Sequence, residues 1–214
     1  MKFRRKKSPE RHLSYFHLLE ALHEQACAFC FLERRTAAKY LEGLFYEQVN
    51  DPCTRSKLRL AGGFCREHTR MAEALGNPLG LSIIFEDLLN SAIAELSSIG
   101  AKSARCPLCE IVAQRTELTF QVFLQHWQET DFTDALDSAA PFCLNHFWLL
   151  TKRIKDGQER QHLLEWERTK LSALQKYLEE FIRKQNYAHK KEPVLEQEAT
   201  AWRKVMQWFI GDHW

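Results

Sequence analysis

The sequence CAFC at residues 27–30 is followed further along the chain by FCREH at residues 64–68. The same order returns as CPLC at residues 106–109 and FCLNH at residues 142–146. The two CxxC motifs begin 79 residues apart, and the cysteines of the two CxxH motifs lie 78 residues apart. A pattern repeated at so constant an offset predicts an internal duplication.

Each half of the duplication supplies three thiols and one imidazole, which together form the ligand set of a closed tetrahedral metal site. A CxxC motif brings two thiolates to one side of a tight turn, and a CxxH motif presents a sulfur and a nitrogen at the start of a helix. The sequence therefore predicts eight metal ligands, which are Cys27, Cys30, Cys65, His68, Cys106, Cys109, Cys143 and His146.

Both the pairing of these ligands and the identity of the metal stay open at this point. The simplest pairing forms one site from the motifs of the first half and a second site from those of the second half. A crossed pairing would join the CxxC of one half to the CxxH of the other. Two Zn²⁺ ions per chain are the expected cofactors, and an iron–sulfur cluster is the alternative because histidine can replace cysteine as a cluster ligand.

Apolar residues recur at helical spacing along most of the chain, so the predicted fold class is all-α. We expect a helical bundle built from two tandem three-helix units, each with a Cys₃His metal site, plus flanking N- and C-terminal helices. The predicted helices cover residues 11–26, 31–49, 64–75, 79–99, 106–128, 142–155, 158–186 and 194–210. Residues 53–63 and 131–141 are predicted to be connectors, the first with room for one short turn.

The domain prediction follows the duplication and places everything in a single compact domain. Residues 1–10 are expected to form a basic disordered arm. Residues 11–104 and 105–187 are the first and second helical metal-binding units, and residues 188–214 are a linker and C-terminal helix.

Composition narrows the class of protein. The formal net charge of +2 is too small to favour nucleic acid as the main partner. No apolar run reaches the roughly 18 residues that a membrane span requires. Seven cysteines without a signal peptide favour thiol chemistry in a reducing compartment, so the expected location is the cytoplasm. Cys53 lies outside the repeated pattern and is expected to be a free thiol.

The motifs and their surroundings resemble a bacterial family of uncharacterised proteins that is known only as a domain of unknown function. The resemblance rests on the paired CPxC and FCxxH motifs and on the segments 15–30, 49–68 and 186–211, and it covers about residues 13–211. Ala28 stands where the family has proline, which leaves the ligands intact. The resemblance implies a cytosolic helical protein with metal ligands at the eight positions, and it implies no activity.

All four positions of each predicted site are filled by protein side chains, whereas catalytic zinc keeps one position open. The sequence thus favours a non-catalytic interaction or regulatory module over an enzyme. A metalloenzyme with an unrecognised active site is the alternative, with Glu67 and Glu110 as candidate bases beside the ligands. The partner is expected to be another protein or a second copy of the chain, and no membrane or nucleic acid is expected.

Overall fold

A computed structural model describes residues 12–96, 105–189 and 191–211, and within these residues the chain is all-α. The predicted basic arm at 1–10 and the predicted helix end at Gly100 lie outside the described residues. Ten α-helices are present in the described part of the chain: α1 Leu13–Leu22, α2 Ala28–Gly43, α3 Pro52–Ala61, α4 Arg66–Ala74, α5 Pro78–Ala94, α6 Pro107–His126, α7 Thr130–Ser138, α8 Leu144–Thr151, α9 Gly157–Lys184 and α10 Glu196–Ile210. Helix α2 continues as a π-helical turn over Leu44–Gln48.

The predicted connector at residues 53–63 is wrong, because most of it is helix α3. The side chain of Asp51 accepts a hydrogen bond from the backbone N–H of Thr54 at 2.7 Å, and Pro52 occupies the first turn, so Asp51-Pro52 starts a helix as well as ending the previous one. Gly62 ends α3 in the left-handed conformation, with φ of 64°.

The second predicted connector, at residues 131–141, also contains a helix. Helix α7 buries Phe132, Ala135 and Leu136, which are spaced three and one residues apart on its inner face. Counted from its CxxC motif, each half of the duplication therefore has four helices among the described residues rather than three, and the added helix lies between the CxxC and CxxH motifs.

One compact unit combines Met1–Leu32 with Thr119–Trp214. Its core is rich in aromatic side chains, and the largest fully buried ones are Tyr15, Phe29, Phe120, Phe123, Phe132 and Phe142. Helix α1 packs against α7, and α10 packs against α8 and α9. An ion pair of 2.7 Å between Lys184 at the end of α9 and Glu198 in the first turn of α10 holds these two helices together.

The other compact unit comprises Glu33–Leu118. Its core is mainly aliphatic and contains Ala37, Leu41, Leu44, Leu58, Phe64, Ile84 and Leu108. Helices α3 and α4 pack against α5.

The two compact units do not coincide with the sequence halves 11–104 and 105–187. Each unit contains the CxxC motif of one half and the CxxH motif of the other. Among the described residues, no helix has both the length and the hydropathy needed to cross a bilayer.

Candidate metal centres

The eight predicted ligands meet in two groups of four, but the grouping is crossed. Cys27 and Cys30 of the first half lie with Cys143 and His146 of the second, and Cys65 and His68 lie with Cys106 and Cys109. Pairing within each half, the simplest expectation, is wrong. We call the first group the buried centre and the second the half-exposed centre.

Helix α3 shortens the connector between the two motifs of the first half. An extended connector covers up to about 3.3–3.6 Å per residue, whereas the ten residues of α3 advance only about 15 Å. Cys65 and His68 lie with the CxxC of the second half and not with the CxxC of their own.

In the buried centre the imidazole faces all three thiols. The His146 Nδ1 atom lies 3.7 Å from Cys27 Sγ, 3.3 Å from Cys30 Sγ and 3.2 Å from Cys143 Sγ. The sulfurs of Cys30 and Cys143 are 3.5 Å apart.

The half-exposed centre repeats this geometry with different residues. The His68 Nδ1 atom lies 3.2 Å from Cys65 Sγ, 3.5 Å from Cys106 Sγ and 3.4 Å from Cys109 Sγ. The sulfurs of Cys65 and Cys109 are 3.6 Å apart.

All four motifs lie at the first turn of a helix, as the sequence predicts. Cys65 and Cys143 are the N-cap residues of α4 and α8. The carbonyls of Cys27 and Cys106 accept the backbone N–H groups four residues later, which starts α2 and α6. The positive end of each helix dipole stabilises negative charge on these sulfurs.

The electrostatics of both centres reflect three thiols crowded around one point. Burial raises the pKa of Cys27 well above that of an ordinary thiol, and burial with the neighbouring thiols raises the pKa of Cys109 to about 12. Cys143 is the exception, because hydrogen bonds from Cys27 and Cys30 lower its pKa. Burial also lowers the pKa of His68 and favours the neutral imidazole, the form that binds a metal. A bound cation would compensate three thiolates that otherwise repel one another.

The spacing of the donor atoms fits one tetrahedral ion in each centre. With a metal–sulfur bond of about 2.3 Å, tetrahedral geometry separates two sulfurs by about 3.8 Å. The sulfur–sulfur distances of 3.5 and 3.6 Å are close to that value. All four donor atoms of each group lie within 4.8 Å of one another.

The two centres differ in their surroundings. Cys143 is only 2% exposed, Cys27 and His146 are also buried, and Cys30 lies at the edge of burial at 9%. The rings of Phe29, Phe120 and Phe142 pack around them, with Phe29 and Phe120 both within ring-contact distance of His146. In the half-exposed centre only His68 is buried, and its three cysteines are partly exposed.

Sequence reasoning missed one polar residue near the buried centre, the carboxylate of Glu167. It is 2% exposed on α9 and accepts hydrogen bonds from the backbone N–H of Phe142 at 3.1 Å and from the indole N–H of Trp208 at 2.8 Å. Burial raises the pKa of Glu167 to about 7. Its spacing from Leu163 and Leu174 on the buried face of α9 is the signal that could have identified it.

Comparison with known proteins agrees with the sequence resemblance. A curated relative from Caldicellulosiruptor sp. (strain Rt8B.4), named "Uncharacterized 23.9 kDa protein in xynA 3'region", is 24% identical over 202 residues, which cover 91% of this chain and 99% of the relative. No solved structure matches the chain. The DUF6062 family of unknown function matches residues 11–104 and 96–213, the second match beginning near the start of the second half. These matches span nearly the whole sequence, and the chain therefore belongs to the DUF6062 family.

Proposed function

We propose that this chain is a zinc protein in which two Zn²⁺ ions, one in each centre, fasten the helical fold of a non-catalytic interaction or regulatory module. The observation that carries the proposal is the convergence of all eight repeated donors into two Cys₃His groups. Three thiolates and one imidazole are typical of structural zinc. None of the seven cysteines, all of which lie in the described part of the chain, forms a disulfide, which suits a reducing cytosol.

Donor spacing favours single ions over iron–sulfur clusters. In a cluster, ligands bind to different irons that are bridged by sulfide, so their donor atoms are separated by more than one ion's width. Here every donor atom of a group lies close enough to the others to share one ion. Zinc is also the usual ion in a closed site of this composition.

Each ion would join segments that are distant in the sequence. Cys30 and Cys143 are 113 residues apart, and Cys65 and Cys109 are 44 residues apart. Because binding energy at structural zinc sites is folding energy, of order 10–16 kcal/mol in zinc-finger peptides, metal loss is expected to destabilise the fold. Closing the 113-residue loop of the buried centre costs about 0.8 kcal/mol more in conformational entropy than closing the 44-residue loop of the half-exposed centre. Metal binding at the buried centre has to offset this additional cost.

The coordination itself argues against metal-centred catalysis. Four protein donors complete a tetrahedral shell, whereas catalytic zinc uses three and leaves the fourth position for water or substrate. A role in protein interaction is supported by exposed apolar side chains at the end of α5, where Leu89 and Ile93 on the helix and Leu96 just beyond it are each at least 60% exposed. Apolar surface of this kind is typical of a contact with another protein.

Elemental analysis with an absorption spectrum, on protein purified without oxygen, tests the metal directly. We expect about two zinc per chain and no visible absorption. Brown protein containing iron and sulfide would contradict the proposal and support the cluster alternative.

Thermal unfolding tests the fastening role. Cys106→Ser removes one ligand of the half-exposed centre and is expected to lower the melting temperature sharply, as is complete removal of metal by a chelator. Cys53→Ser is the matched control because Cys53 is exposed and lies outside both centres. An unchanged melting curve after verified metal removal would refute this role.

A further inference from the structure

Glu167 connects two segments of the chain that are far apart in sequence. One carboxylate oxygen accepts the backbone N–H of Phe142, and the other accepts the indole N–H of Trp208 on α10. A buried carboxylate is costly unless its oxygens are hydrogen-bonded, so both bonds matter to the position of this side chain.

The bond to Phe142 acts on the backbone directly before a predicted ligand. Cys143 follows Phe142 as the N-cap of α8, and His146 lies in the first turn of that helix. The Phe142 ring is itself enclosed, with its centroid 4.9 Å from both Phe29 and Trp166. Fixing the Phe142 amide therefore fixes where the sulfur and the imidazole of the CxxH motif point.

The bond to Trp208 brings α10 to the same place. A narrow cleft with room for about one water molecule is lined by the buried-centre cysteines Cys27 and Cys143 and by Lys204 and Trp208 of α10. Lys204 also reaches the side chain of Gln25, two residues before Cys27, at 3.3 Å. Helix α10 thus lines the cleft that borders two cysteines of the buried centre.

The half-exposed centre has a different residue at the related position. Counting back 78 or 79 residues from Glu167, the offsets between the two CxxH motifs and between the two CxxC motifs, leads to Leu89 or Leu88, and neither side chain has a carboxylate. The contact made by Glu167 is therefore a feature of one half of the duplication.

From these contacts we infer that Glu167 is a positioning residue of the buried centre, and that Trp208, by docking on it, holds α10 closed over the metal site and slows the exchange of metal there. The inference rests on the proposed metal binding and adds a means of control at one of the two centres. Groups that orient ligands without touching the metal typically change metal affinity 10–100-fold when they are mutated.

The test is the rate of zinc transfer from the full-length, zinc-loaded chain to a chromophoric chelator, 4-(2-pyridylazo)resorcinol. Two kinetic phases are expected and are assigned with Cys30→Ser and Cys106→Ser, which each disable one centre. Trp208→Phe and Glu167→Gln are expected to accelerate the buried-centre phase roughly 10–100-fold and to leave the other phase unchanged. Trp202→Phe is the matched control, since it makes the same chemical change on α10 at a side chain that is 42% exposed.

A second measurement separates positioning from a general loss of stability. In cobalt-substituted protein, the thiolate-to-cobalt absorption of the buried centre is expected to shift in Glu167→Gln and to stay unchanged in Trp202→Phe. An unchanged buried-centre phase in Trp208→Phe, or equal acceleration of both phases, would overturn the inference, and Trp208→Phe keeps it testable if Glu167→Gln does not fold. The zinc content of the unmodified chain separately decides the proposed function.

Discussion

The two centres have the same ligands in the same geometry, yet their surroundings differ. The buried centre lies in an aromatic core behind α10, whereas the half-exposed centre lies in a mainly aliphatic core and leaves three sulfurs partly accessible. The duplicated set of ligands therefore lies in two different environments. Burial restricts access of water, chelators and oxidants, so under the proposed zinc binding we expect slower metal exchange at the buried centre than at the half-exposed centre.

The largest expected effect is on zinc content, in double variants that test which CxxC motif shares a centre with which CxxH motif. In the crossed arrangement, Cys30→Ser combined with Cys143→Ser disables one centre and leaves about one zinc per chain. Cys30→Ser combined with Cys65→Ser disables both centres and leaves none. Metal content of the purified variants, measured by elemental analysis, checks this.

Pairing within each half gives the opposite result for the same two proteins. The Cys30/Cys65 variant would then keep one zinc, and the Cys30/Cys143 variant would keep none. Cys65→Ser with Cys109→Ser is the matched control for the half-exposed centre and should retain one zinc.

Thiol reactivity should sharpen the difference between the centres. With N-ethylmaleimide and zinc-loaded protein, the exposed Cys53 is expected to react first, then the cysteines of the half-exposed centre, and last those of the buried centre. Reactivity follows exposure and thiolate character, and a rate difference of roughly tenfold between the centres is expected. Mass mapping of peptides over time gives the order.

Added zinc supplies the control for that experiment. Excess Zn²⁺ should slow the labelling of Cys65, Cys106 and Cys109 and leave Cys53 unaffected. Equal labelling rates in the two centres would show that the difference in burial has no chemical consequence.

The sequence was sufficient for the helices that carry ligands, because the repeated motifs and helical spacing are local signals. Its limits appear at α3 and α7. Asp51-Pro52 is compatible both with the end of one helix and with the start of the next, and no side-chain N-cap marks the start of α7. Ligand pairing is a long-range property, since Cys30 and Cys143 are 113 residues apart, and a single sequence left the crossed pairing and the pairing within each half both open.

Glu167 shows a second limit, one of long-range structure. A glutamate among other charged residues of α9 predicts a solvated face, and only the packing of α10 and the CxxH turn buries it. The apolar spacing of α9 carried a weak signal, but its two hydrogen-bond partners are 25 and 41 residues away.

The smallest expected effect concerns the backbone that leads into each CxxH motif. In the half-exposed centre, the residue two positions before the CxxH cysteine is Gly63, which has φ of 92°. In the buried centre, the corresponding residue is Pro141. A Cβ at residue 63 would lie 3.1 Å from Leu88 Cδ1 in a backbone conformation that side chains rarely adopt. Gly63→Ala is thus expected to lower the free energy of unfolding by about 1 kcal/mol or more, measured by urea denaturation of zinc-loaded protein.

The same substitution should accelerate zinc release from the half-exposed centre alone, since Gly63 lies two residues before Cys65. Gly43→Ala is the matched control, because residue 43 is helical with open space around it and alanine there is expected to stabilise the helix by up to about 1 kcal/mol. If Gly63→Ala and Gly43→Ala have the same stability, the turn before Cys65 does not require glycine. The two centres would then differ in burial but not in the backbone conformation that they require before the CxxH cysteine.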